Sequence, residues 1–185
     1  RYYGEENGDE RARMLVAEAV DAAEKAGVDF SDYDNDGDGY VDNLLIAHSG
    51  PGAEEGSQTE YIWSHSWYLG GYARRYDGVT ISNYIINPET RSYGMVGIGV
   101  FCHEFGHALG LPDLYDTDDS NGDSEGLGNW CLMAGGGWLN QEKTPAMLSA
   151  WAREKLGWIY PVVIDSDGEF SLTPAATDDA CYKML

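Results

Sequence analysis

His103-Glu104-Phe105-Gly106-His107-Ala108-Leu109-Gly110-Leu111-Pro112-Asp113 is the stretch on which the reading of this chain turns. Residues four apart on a helix lie one above the other on the same face, so His103 and His107 present two imidazoles to one point. Gly110 suits the left-handed conformation that ends a helix, and Pro112 does not readily continue one. The chain therefore turns there, which swings Asp113 back beneath the imidazoles. Two His, one carboxylate and an open fourth position suit a catalytic rather than a structural Zn²⁺. Glu104 sits beside the pair and reaches a water on the metal without itself being a ligand. The stretch reads as a zinc-peptidase site. Asp is unusual where the commoner extended pattern has His, and Asp113 has two competing uses, capping the turn or binding calcium.

Twenty residues past Asp113, the apolar run Trp130-Cys131-Leu132-Met133 leads into Ala134-Gly135-Gly136-Gly137. In zinc peptidases with a long motif, a methionine in a tight turn forms an apolar floor under the metal ligands. Met133 is the candidate, although methionine is also a common gap-filler in ordinary cores.

A second metal pattern lies upstream. Asp34-Asn35-Asp36-Gly37-Asp38-Gly39-Tyr40-Val41-Asp42 follows the first nine positions of an EF-hand loop. Side chains of Asp34, Asp36, Asp38 and Asp42, with the Tyr40 carbonyl, would give hard oxygen ligands to Ca²⁺. Leu45 stands where the bidentate Glu belongs, and a strand pattern replaces the following helix. This predicts a stabilising calcium loop, with a merely acidic turn as the plainer alternative. Asp116 to Glu125 is a candidate second calcium site.

Net charge is −21, and 11 of the 32 acidic residues fall within 32–42 and 113–125. Such a surface disfavours nucleic acid and anionic membranes as partners, since both need cations. No apolar run approaches 18 residues, so no membrane span is expected. At 185 residues and 43% hydrophobic, the chain can bury one substantial core. It opens on Arg1-Tyr2-Tyr3-Gly4 without a signal peptide and closes without a stop-like end, as a trimmed piece of a longer protein would. Cys102, Cys131 and Cys181 are too few for a disulfide scaffold and are expected as free thiols.

HEFGHALGLPDLYD (103–116), GNWCLMAGG (128–136), YIWSHSW (61–67), DNDGDGYVDNLLIAHSG (34–50) and the region of SAWAREKLGWI (149–159) occur in one order. Together they resemble the immune inhibitor A family of secreted bacterial metallopeptidases, relatives of the metzincins. The resemblance implies an α+β, metzincin-like catalytic domain with a twisted sheet, a backing helix, an active-site helix and a C-terminal helix. It also implies one catalytic zinc, one or more structural calcium ions, Glu104 as general base and an extracellular setting. Strands expected before the first helix are not evident in this chain. Cys102 and Cys131, beside the motifs, depart from the family pattern.

Along the chain, residues 9–26 read as an amphipathic helix, with Leu15, Ala19, Ala22, Ala23 and Ala26 on its apolar side and Gly27 as its stop. Residues 40–48, 61–69 and 79–87 read as strands, the last ending at Pro88. The active-site helix is expected within 94–109, and 113–129 as a long polar loop, a length usually functional. Thr144-Pro145 predicts a helix running to Leu156. The catalytic domain is placed at 1–158, with 159–185 beginning a β-module. His48 and His65 read as hydrogen-bonded core histidines; the resemblance makes His65 a candidate electrostatic support.

The function expected is hydrolysis of internal peptide bonds in a protein or peptide substrate, with Glu104 taking the proton from the attacking water. By analogy with related peptidases, the strand carrying Ser82, Asn83 and Tyr84 would pair with an extended substrate. Two rivals remain: a calcium-stabilised, non-catalytic binding or adhesion module, and a zinc hydrolase releasing single amino acids. Substrate identity and oligomeric state are not written in the sequence.

Overall fold

The computed structural model describes residues 9–55, 61–118, 120–174, 177 and 180–184. The first helix, α1, spans Asp9–Lys25, and Gly27 at φ 90° turns the chain away from it. Its buried stripe runs through Ala12, Val16, Ala17 and Val20, not along the expected Leu15–Ala19–Ala22 line. Val16 and Val20 bring more apolar area than the alanines, so the helix rotates to bury them, leaving Ala22 and Ala26 exposed.

The main sheet is mixed. β1 (Leu45–Pro51) runs parallel to β5 (Asn83–Arg91), and β2 (His65–Tyr68) runs antiparallel to β5 on its other side. The two-residue β6 (Gly94–Met95) folds back on the end of β5. β5 is therefore the centre of the sheet, and Tyr84, Ile85, Ile86 and Asn87 are buried almost completely. The hairpin of β3 (Arg74–Tyr76) and β4 (Val79–Ile81) turns at Asp77-Gly78, at φ 52° and 89°, the signature of a two-residue type I′ turn. It leans on α1, where Arg74 Nε and the Tyr76 hydroxyl both donate to Asp21.

Three strand expectations are corrected here. The first strand starts at Leu45 rather than Tyr40, because 34–42 folds on its own carboxylates and Tyr40 makes only an isolated bridge to Thr80. The second begins only at His65. The third is broken at Ser82, and its second half continues through Pro88 to Arg91. Pro88 has no N–H to give, and the β1 register shifts between its partner His48 and Pro51.

Helix α2 (Gly99–Ala108) lies against β2 and β5. Helix α3 is shorter than expected: it covers Ala150–Lys155, with the Ser149 hydroxyl capping the Ala152 N–H. Residues 144–149 stay out of the helix because Ala146 N–H donates to Gly136 and the Met147 carbonyl accepts from Leu132. Those backbone groups are committed to tertiary bonds. A parallel pair, β7 (Val162–Ile164) and β8 (Tyr182–Met184), follows. The architecture is mixed α/β, with one central sheet and few helices. No described helix is long and apolar enough to cross a membrane.

Candidate metal centre and cleft

The placement of α2 is dictated by what its glycines lack. A Cβ on Gly99 would overlap the Gly137 carbonyl oxygen, and one on Gly106 would overlap the Met133 sulfur. Fully buried Met133 thus lies directly beneath the helix, with Leu111, Cys131 and Ala134 in the same cluster. At the far end, Gly110 N–H donates to the His107 carbonyl and Leu111 N–H to Gly106, with Gly110 at φ 91°. This is a Schellman stop, and it reverses the chain as Gly110 and Pro112 predict.

The reversal delivers Asp113. His103 Nε2 and His107 Nε2 stand 3.1 and 3.2 Å from Asp113 Oδ1. Both Nδ1 atoms face carbonyl oxygens at 2.9 Å, of Leu132 and Leu111 respectively. A carbonyl only accepts, so each neutral ring carries its proton on Nδ1 and turns the Nε2 lone pair toward Asp113. Ligands held about 2.0–2.1 Å from a tetrahedral zinc ion lie roughly 3.3 Å apart. Both His–Asp separations match that spacing, and the three ligand atoms all fall within 4.8 Å of one another.

The electrostatics also favour a cation. Burial acts to lower His103 and His107, but the Asp113 carboxylate and the backbone carbonyls outweigh it and hold both pKa values above the ordinary value. Burial acts to raise Asp113, yet the two imidazoles prevail and keep it well below the usual carboxylate range. Glu104 is 6% exposed, and burial pushes its carboxyl up against the pull of the two histidines. A carboxylate with a raised pKa is a stronger proton acceptor. Tyr115, which falls within the 103–116 motif without an assigned role, stacks on His103 with centroids 6.3 Å apart. Burial first, then Asp113, pushes its hydroxyl up to about 12.

Two hollows flank the trio. One is lined by His107, Pro112 and Asp113 with Ser66, Trp67 and Tyr68. The other is lined by His103, Glu104 and Tyr115 with Trp63, Ser64 and Trp138. The segment 63–68 borders both, and it includes β2. Among the described strands β2 ends the sheet, so its outer edge is unpaired. Ser82, Asn83 and Tyr84, by contrast, lie at or within the central strand β5. Asn83 and Tyr84 pair with Tyr68 and Trp67, Ile85 bonds to Leu44 on the other side, and the Ser82 carbonyl accepts from Leu69. Among the described residues, β5 is flanked by β1 on one side and β2 on the other.

Over residues 1–159, the chain matches the family described as immune inhibitor A peptidase M6, catalytic domain. The chain belongs to that family. It is 34% identical to immune inhibitor A of Bacillus thuringiensis subsp. alesti over 80% of its own length. It is 33% identical to the pre-pro-metalloprotease PrtV of Vibrio cholerae serotype O1 over 84% of its length. The matched regions make up 25% and 20% of those two relatives, so this M6 chain spans about a quarter or less of either.

Elsewhere the M6 chain gathers some candidates and not others. The carboxylates of Asp34, Asp36 and Asp42 converge, but Asp38 turns away to accept the Tyr40 N–H. In the second acidic stretch, Asp116 accepts from Asp118 N–H and Asp118 from Ser120, so these groups serve their own turns; Asp119 lies outside the described residues. The three cysteines are free, with Cys131 and Cys181 buried. His65 spans Trp63 O and the Tyr84 hydroxyl at 2.7 and 2.8 Å, while His48 bonds to Ser49 O. Neither joins the metal trio. Glu54, Arg91 and Glu142 carry no recognisable motif in the sequence. The one local signal is the Pro51-Gly52 pair ahead of Glu54, since Arg91 lies past Pro88, outside the apolar run of its strand.

Proposed function

We propose that this chain is the catalytic domain of a secreted zinc endopeptidase with a metzincin-like arrangement, acting on protein or peptide substrates. The observation that carries it is the convergence of His103 Nε2 and His107 Nε2 on one oxygen of Asp113, with Glu104 buried beside them. His103, His107 and Asp113 would hold the zinc. When bound, zinc supplies a Lewis acid that polarises the scissile carbonyl and acidifies a water. Glu104 takes one proton from the attacking water as the oxygen joins the carbonyl carbon. It returns that proton to the leaving nitrogen as the C–N bond breaks. An extended peptide would lie along the open edge of β2, its backbone hydrogen-bonded to the strand and its side chains entering the two flanking hollows.

Met133 forms the apolar floor of the site and fixes the depth of α2. The trio Asp34, Asp36 and Asp42 is a structural calcium site, with Asp38 and Tyr40 completing it if the loop closes on the ion. The catalytic domain ends near residue 159, where the family match stops. The "pre-pro" in one relative's name supports secretion.

The test is cleavage of an unfolded protein with zinc present, beside Glu104→Ala. Internal fragments from the parent alone support the assignment. Cleavage by both would remove Glu104 from its role, and free amino acids as products would replace endopeptidase with exopeptidase.

A further inference from the structure

Arg91 sits at the end of β5, and its guanidinium side chain is completely buried. A buried cation is costly unless paired, and this one is paired twice. Nε donates to Glu142 Oε1 at 2.7 Å and Nη1 to Glu54 Oε2 at 2.9 Å. The carboxylates are as buried as the arginine, and the Trp138 ring lies 5.2 Å from the guanidinium carbon.

Each carboxylate leads to a different wall of the cleft. Glu54 Oε1 accepts the Ser64 backbone N–H at 2.7 Å, immediately before His65 opens β2. The Glu142 carbonyl accepts the N–H of Gly99, the first residue of α2, at 2.9 Å. Glu142 closes a run of three non-glycine residues in left-handed backbone, with Asn140, Gln141 and Glu142 at φ 51°, 56° and 64°. Such a run persists only where its surroundings hold it. Its side chain supplies that hold, bonding Arg91 and the Tyr93 hydroxyl. The neighbouring glycines conform: a Cβ on Gly52 would overlap the Glu54 carboxylate, and Gly97 and Gly99 press against the Glu142 backbone.

The geometry points to Arg91, with Glu54 and Glu142, as positioning residues that set the separation between the helix bearing the metal ligands and the strand edge that takes substrate. The inference rests on the proposed function, which reads the β2 edge as the substrate rail. Arg91 touches neither metal nor substrate. It acts through two arms, Glu54 toward Ser64 and β2, Glu142 toward Gly99 and α2. The two arms therefore fail separately when cut separately.

The experiment compares Glu54→Ala, Glu142→Ala and Glu54→Gln in the full chain by amide hydrogen exchange, zinc affinity and peptide-hydrolysis kinetics. Glu54→Ala should speed exchange at Ser64 and raise KM, each about tenfold, with kcat within about twofold and Gly99 still protected. Glu142→Ala should speed Gly99 exchange and weaken zinc binding by about tenfold while Ser64 stays slow. Glu54→Gln keeps an oxygen for Ser64 and should restore most of its protection. Equal acceleration of both amides by both alanine variants would make the triad a general stabiliser and overturn the inference, as would no change at either amide. If the parent cleaves nothing, the endopeptidase reading fails, while the two amides still decide whether the arms exist.

Discussion

Gly106 and Met133 touch so closely that the helix residue has room for a hydrogen and nothing more. The helix that carries His103 and His107 rests on a sulfur atom, and the depth of that seat sets where the two imidazoles project. Gly106→Ala should destabilise the chain by about 1–3 kcal/mol, the usual cost of overpacking. Met133→Ala should recover part of that loss in the double variant, because it empties the space the new methyl needs. Denaturant unfolding of the four-member cycle reads the coupling. Strict additivity would show that the two residues do not share this contact.

Zinc should stabilise the parent chain by linkage, by about 2.7 kcal/mol at a free concentration a hundredfold above its Kd. Asp113→Ala should abolish most of that gain and weaken zinc by more than the roughly 10–100-fold that loss of an outer partner costs. A chelator-competition titration of both proteins measures it. Equal affinities would return Asp113 to the simpler role of a turn residue.

Burial raises the Glu104 carboxyl above its ordinary 4.5. A folded-state pKa above the unfolded one means that ionised Glu104 costs stability. That cost is absent below the ordinary value and grows as pH rises through the folded value. In metal-free protein, Glu104→Gln should therefore melt higher than the parent at neutral pH, with the gap narrowing as pH falls toward 5. A gap of the opposite sign would mean that the ionised carboxylate is well solvated.

Asp21 behaves in the other sense. The Arg74 hydrogen bond is the largest influence and holds its pKa below the ordinary 3.8. Its contribution is fully present above 3.8 and is lost as pH falls through the folded-state value. Asp21→Asn should flatten the acid limb of the stability curve in urea, and an acid limb as steep as the parent's would remove Asp21 from this role. The pair is partly open to solvent, so the effect is modest.

What could be read from the sequence was what is local. The i, i+4 histidines and the Gly110 stop act within one turn of helix, and the fold places them as the pattern requires. Met133 was legible for a related reason, since a glycine run after an apolar residue marks a tight turn. Glu54, Arg91 and Glu142 were not legible, because residues 37 and 51 positions apart meet only through the sheet. The start of α3 was misread because Thr144-Pro145 is a sound local signal overruled by backbone bonds from 146 and 147 to distant partners. The central position of Asn83 and Tyr84 was not legible, because alternation identifies a strand but not its place in the sheet. Asn83 and Tyr84 lie in the middle, and the edge falls to a shorter segment.

The unpaired edge of β2 carries half-exposed Trp67 and well-exposed Tyr68, the kind of rail along which two copies of a chain can also stack. Among the described strands none pairs with this edge, and the chain's charge supplies a colloidal protection. At −21, neighbouring molecules repel one another before their edges meet. Near pH 4.2 that repulsion vanishes, and high salt screens it at any pH. The acidity of the surface and the openness of the strand are thus two halves of one arrangement, in which like charge holds the rail clear of other copies.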